Sequence, residues 1–144
     1  KALANPMLRH LEHKADVLFE ATGKSFAEVL EESARALFET IADAKRIKAT
    51  KRVAVKQTAR SLDELLVFTL SDLLSESDAR ELFFARFKVR RFGKKGSLFF
   101  LEGVAEGEPM TPRLGRTSVK AVTLHESKVE QKGGMWRARV LLDV

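Results

Sequence analysis

Two stretches of this chain repeat their apolar residues with a period near 3.6, and they sit among longer stretches that repeat with a period of two. That mixture constrains the fold more than any other feature, because each period buries one face of one kind of element. Phe26, Val29, Leu30, Ala34, Leu37, Phe38 and Ile41 form one helical stripe, opened by Ser25 and Glu28. Leu62, Leu65, Leu66, Leu70, Leu73 and Leu74 form another, opened by Ser61 and Glu64. Ser-x-x-Glu lets each partner satisfy a backbone N–H that the first helical turn leaves free. The spacing predicts amphipathic helices over 25–42 and 61–75.

Alternation fills most of the remainder. From 11 to 21 the odd positions Leu11, Ala15, Val17, Phe19 and Ala21 are apolar, and Asp16 falls on the polar side. Val53 and Val55 alternate with Arg52, Ala54 and Lys56, and Phe87 and Val89 with Arg86, Lys88 and Arg90. A turn at Gly93-Lys94-Lys95-Gly96 leads into 98–105, which reads as a hairpin, and 119–130 reads as a further extended run. After Lys132-Gly133-Gly134 the last run puts Trp136, Ala138, Val140, Leu142 and Val144 on one face, with Arg137, Arg139, Leu141 and Asp143 on the other. Strand, helix, strand, helix and then several closely connected strands predict an α+β fold. Its sheet or sheets are mostly antiparallel, with two amphipathic helices packed on them, in a single domain over 1–144.

Composition narrows the chemistry. The 144 residues include no cysteine, which excludes disulfides, cysteine-ligated metals and thiol catalysis. No apolar run reaches the roughly 18 residues of a membrane span, and no secretory pattern opens the chain, so a soluble cytoplasmic protein without a membrane partner is expected. P-loop, dinucleotide, nucleophile-elbow and zinc-protease signatures are all missing. Of the histidines, His13 falls on the inward side of the first run and His125 shares its side with Val119, Ala121 and Val129. For both, a structural role is the simplest reading, with ligand or base as the rival; His10 reads as exposed.

Two other features invite a function. Asp16 and Asp143 are short carboxylates within strand patterns, where aspartate is disfavoured. If the first and last strands are neighbours, the pair could converge with the Val144 carboxyl into an all-oxygen site suited to calcium or magnesium. An ion pair of Asp143 with Arg139 explains the same residues more simply. The second feature is charge. The net charge is +6, yet 44–60 and 83–100 hold no acid at all. If those strands lie side by side, Arg52, Lys56, Arg86, Lys88 and Arg90 would line one face and attract a polyanion. A solvated strand edge, or a face packed on the acidic helices, accounts for these cations equally well.

Several ordered motifs carry a resemblance. His13-Lys-Ala-Asp16-Val17 with Gly23, the helix ending Ala36-Leu37-Phe38, and Leu65-Leu66-Val67 with Leu73-Leu74 come first. Gly107-Glu108-Pro109, the run Val119 to His125 and the run Trp136 to Val144 follow in order. Together they resemble the archease family over almost the whole chain, with Lys14 standing where the family's first motif usually has threonine. The resemblance implies a non-catalytic accessory factor of an RtcB-type RNA ligase, promoting its guanylylation and multiple turnover in tRNA splicing and RNA repair. It also implies a divalent metal held by Asp16, Asp143 and Val144, with calcium expected first and magnesium or manganese as alternatives. The rival function is a basic module that binds tRNA directly or chaperones a tRNA-modifying methyltransferase.

Overall fold

The computed structural model describes residues 16–144, so the predicted strand positions 11–15, together with His10 and His13, lie outside the described residues. In chain order the elements are β1 (Asp16–Gly23), α1 (Phe26–Ile41), a 3-10 turn (Ala44–Arg46), β2 (Lys51–Ala59) and α2 (Leu62–Arg80). Then come β3 (Leu82–Lys95), β4 (Leu98–Pro109), a second 3-10 turn (Pro112–Leu114), β5 (Ala121–Lys132) and β6 (Met135–Asp143). The strands form two antiparallel three-stranded sheets, ordered β1-β6-β5 and β2-β4-β3. The predicted α+β class with two helices therefore holds, with the strands divided between two sheets.

Both helices start where the serines predict. The Ser25 hydroxyl accepts from the Glu28 N–H and the Ser61 hydroxyl from the Glu64 N–H, each at 3.1 Å. In α1 the Glu28 carboxylate also accepts from the Lys24 N–H at 2.9 Å. The second helix runs past the predicted end at 75. Its apolar pattern stops at Leu74, but an Arg80–Glu76 ion pair at 2.6 Å spans the last turn, and the buried Ser77 hydroxyl donates to the Leu82 carbonyl at 2.5 Å. Glu81 then closes the helix in the left-handed region, φ 55°.

Each helix contacts a strand of both sheets: α1 packs on β1 and β3, and α2 packs on β5 and β2. Phe26 of α1 makes this visible, stacking on Phe92 of β3 at 4.7 Å and meeting Trp136 of β6 edge-on at 6.0 Å. The core is accordingly built from Leu30, Leu37, Leu65, Leu66, Leu70 and Leu73 of the helices, closed by Val55, Leu101, Val140 and Leu142 of the sheets. Each sheet turns its other face outward. Both hairpins close with two-residue turns, Gly96-Ser97 and Gly133-Gly134, whose first glycine has φ +64° as the strand twist requires. The β3–β4 turn is thus tighter than the predicted four-residue one. No helix among the described residues is long and apolar enough to cross a membrane.

Candidate metal centre and the basic sheet

Along β6 the inward set is Trp136, Ala138, Val140 and Leu142, and the outward set Arg137, Arg139, Leu141 and Asp143, as the alternation predicts. The neighbouring strand β1 points Asp16, Leu18, Glu20 and Thr22 outward. The two strands are antiparallel in a register that places Asp16 directly opposite Asp143, Leu18 opposite Leu141 and Glu20 opposite Arg139. The first and last strands are therefore neighbours, and their two aspartates face each other across the ladder on one outer surface. Directly opposed side chains start roughly 5 Å apart at Cβ.

The surroundings hold Asp143 in place without neutralising it. Its carbonyl accepts from the Lys120 N–H at 2.7 Å, and Ala121 of β5 is its partner on the other side. Its Oδ1 is buried and has no hydrogen-bond partner. Asp143 makes no ion pair with Arg139 within 4 Å among the described residues, and the Arg139 Nε on the same face is likewise buried without a partner. A buried carboxylate oxygen left without a donor is costly unless something positive meets it. Two opposed carboxylates, with the Val144 oxygens next in the chain, offer oxygen donors of the kind a hard divalent cation takes. Among the described residues no cluster of three or more histidine, aspartate and glutamate side chains occurs, so the pair would need the main chain at Val144 to complete its coordination.

The structure does not bring His125 into this pair. It lies in a bulge of β5 between Thr123 and Lys128, where the strand carries three more residues than β6 opposite. The parity that grouped His125 with Ala121 and Val129 is broken there, and its side chain is exposed, with Nε2 3.5 Å from the Glu126 carboxylate. Glu126 itself has φ 63°, a strained conformation for a residue with a side chain. Ser127 compensates for the interrupted ladder: buried, its hydroxyl accepts from the Leu141 N–H at 3.0 Å. Nothing in the sequence period singles out Ser127. The bulge and two exposed leucines, Leu18 and Leu124, share the sheet that carries the carboxylates.

The five basic residues are arranged differently from the expectation. β2 and β3 are not neighbours, because β4 lies between them and contributes acids to the same outer face. One row across the sheet is Arg52, Glu106, Arg86; the next is Ala54, Val104, Lys88; the third is Lys56, Glu102, Arg91. Glu106 accepts from Arg86 at 2.5 Å and lies 3.7 Å from Arg52, while Arg91 is 3.4 Å from Glu102. The hydrogen bond from Arg86 holds the Glu106 carboxyl below the usual carboxylate range; desolvation opposes it, and the charges of Arg86, Arg52 and Lys88 reinforce it. A register shift between Val89 and Arg91 puts Arg90 in a bulge, so Arg91 takes the outward place predicted for Arg90. The sequence held a signal of this: two cations separate Val89 from the inward Phe92, where strict alternation allows one.

The chain has known relatives. The model of the Archease protein family (MTH1598/TM1083) matches residues 8–144. The chain belongs to the archease family. It is 33% identical over 137 residues to the Methanosarcina mazei archease, covering 94% of each, and 33% identical over 138 residues to that of Pyrococcus furiosus, covering 94% of this chain and 96% of the relative. The solution structure of Methanobacterium thermoautotrophicum protein 1598 superimposes with a TM-score of 0.78 at 32% identity, covering 90% of this chain and 93% of the other. A Thermotoga maritima archease, described as a "possible chaperone", shares the fold with a TM-score of 0.59 at 22% identity over 92% of this chain and 93% of its own.

Proposed function

We propose that this chain is a non-catalytic accessory factor of an RtcB-type RNA ligase. It raises the ligase's guanylylation and turnover in tRNA splicing and RNA repair, and Asp16, Asp143 and Val144 hold a divalent cation, calcium foremost. The observation that carries the reading is the direct opposition of Asp16 and Asp143 on an outer sheet face, with one Asp143 oxygen buried and unpaired. A cation bound there supplies a fixed positive charge of the kind that neutralises nucleotide phosphates. The chain's own residues do the positioning. The β1–β6 register sets the distance between the carboxylates, and the Lys120 amide anchors the strand end that bears Asp143. Leu18 beside the pair is half exposed, which gives a protein partner an apolar foothold at the site.

The test is guanylylation of the ligase at limiting GTP, with and without the protein. Asp16→Ala is expected to abolish the stimulation while the circular dichroism spectrum is unchanged, because the side chain sits on the outer face. Full stimulation by a folded Asp16→Ala protein refutes the role given to the pair.

A further inference from the structure

The net charge of the whole chain resides in one sheet. Strands β2, β3 and β4 together carry nine lysines and arginines against three glutamates, a surplus of six that equals the net charge of all 144 residues. The sheet that bears Asp16 and Asp143 has four basic and five acidic residues in its strands. The two helices separate these sheets, so cationic and carboxylate surfaces face opposite ways.

We propose that the outer face of the β2-β4-β3 sheet binds the phosphate backbone of a nucleic-acid duplex, reading charge and not base sequence. Its outward side chains stand in a grid, with strands about 4.8 Å apart and successive outward residues roughly 7 Å apart along each strand. Arg52, Arg86 and Arg91 are more than half exposed even while paired, with side-chain exposures of 61%, 58% and 66%. Lys56, Lys88 and Lys95 are exposed and have no ion-pair partner among the described residues. Lys95 extends the cationic surface to the hairpin tip, whereas Lys94 lies on the other side of the strand with its Nζ 5.1 Å from the centre of the Phe99 ring.

The chemistry of the grid selects among polyanions. Its apolar content is slight, namely Ala54, the half-buried Val104 and Phe100, and Leu98 at the hairpin end, so the middle of the grid lacks the desolvated anchors on which a protein partner's affinity depends. Phe100 is not open to a stacking base either, because the Arg91 guanidinium lies over its ring at 5.3 Å. Single-strand binding relies on such open rings, whereas duplex backbone binding needs only spaced cations. Glu106 restrains the site. It draws two of the arginines toward itself and cancels one positive charge at the end of the grid.

The inference stands apart from the ligase reading, since it uses the other sheet. The test is a fluorescence-anisotropy titration of an RNA duplex of about 20 base pairs at roughly 50 and 200 mM salt. Wild-type protein is expected to bind with a steep loss on adding salt, and a DNA duplex of equal length should compete equally. The triple substitution Lys56→Ala, Lys88→Ala, Lys95→Ala is expected to weaken binding roughly tenfold or more at low salt and to lower the salt slope by about 2–3. Glu106→Gln is expected to tighten it. Lys24→Ala, Lys120→Ala, Lys132→Ala removes the same net charge from exposed positions outside this sheet and should leave binding within twofold of wild type. Absence of duplex binding at low salt overturns the proposal, as does equal weakening by the two triple variants. Displacement of the duplex by a polyglutamate peptide at matched charge also overturns it and assigns the face to an acidic protein surface.

Discussion

Replacing Asp16 with asparagine should change the stability of the protein in opposite directions with and without a divalent cation. Asp16 and Asp143 are direct cross-strand partners, so without a cation two like charges face each other. At a separation of roughly 5 Å their repulsion is about 0.8 kcal/mol in a water-like dielectric and about 3 kcal/mol at an effective dielectric of 20. Opposed like charges on strands typically cost about 0.2–1 kcal/mol, and the exposed position of Asp16 favours that lower range. In chelator, Asp16→Asn is therefore expected to stabilise the fold by about 0.5–1 kcal/mol, or about 2–5 °C in Tm for a chain of this size. With calcium at about one hundred times its Kd, the wild-type protein gains about 2.7 kcal/mol, on the order of 10 °C. The variant, having lost a ligand, gains little. The order of the two melting temperatures thus reverses between buffers, which thermal unfolding followed by circular dichroism reads directly. If the variant melts below wild type in chelator, or if calcium raises both equally, the opposed carboxylates are not a cation site.

Two further outcomes follow from the other sheet. A Cβ on Gly107 would strike the Phe83 carbonyl and come within 2.8 Å of the Phe84 Cα, backbone atoms that cannot swing aside. Gly107→Ala is therefore expected to cost about 3 kcal/mol in a urea titration, and a loss below 1 kcal/mol contradicts the packing described. Glu106 should titrate below the usual carboxylate range, chiefly because Arg86 donates to it. Because its folded pKa is depressed, the stability it lends is present above the ordinary carboxylate pKa and disappears as pH falls through the lowered value. A carboxyl NMR titration of wild type and Arg86→Ala checks this, with the midpoint expected to move up in the variant.

What could be read from the sequence was set by period and by capping chemistry. The helix starts at Ser25 and Ser61 and the two faces of β6 follow from local rules, and the structure repeats them. The end of α2 escaped because polar residues carried the last turn, through Glu76–Arg80 and Ser77 rather than through an apolar stripe. The candidate cation pair was half legible: parity put Asp16 and Asp143 on outward faces, but only the β1–β6 register brings them together. The neighbours of the basic strands were not legible, for a non-local reason. Alternation says which way Arg52 or Lys88 points, not that β4 is threaded between their strands with Glu102 and Glu106. Bulges at Arg90 and at 124–127 shift parity partway along a strand, which moved Arg91 outward and detached His125 from its expected neighbours.

Two small contacts bear on how two of the four outermost strands would meet another chain. β3 and β5 are outermost in their sheets, and each has one amide claimed from the helix side: Glu31 accepts from the Val89 N–H at 2.9 Å, and Asp63 from the Val129 N–H at 2.8 Å. An outermost strand with free amides is a template for recruiting another chain. Here each carboxylate occupies one rung of that template, so a second molecule arriving along either margin meets an interrupted ladder and an anion instead of a continuous row of donors.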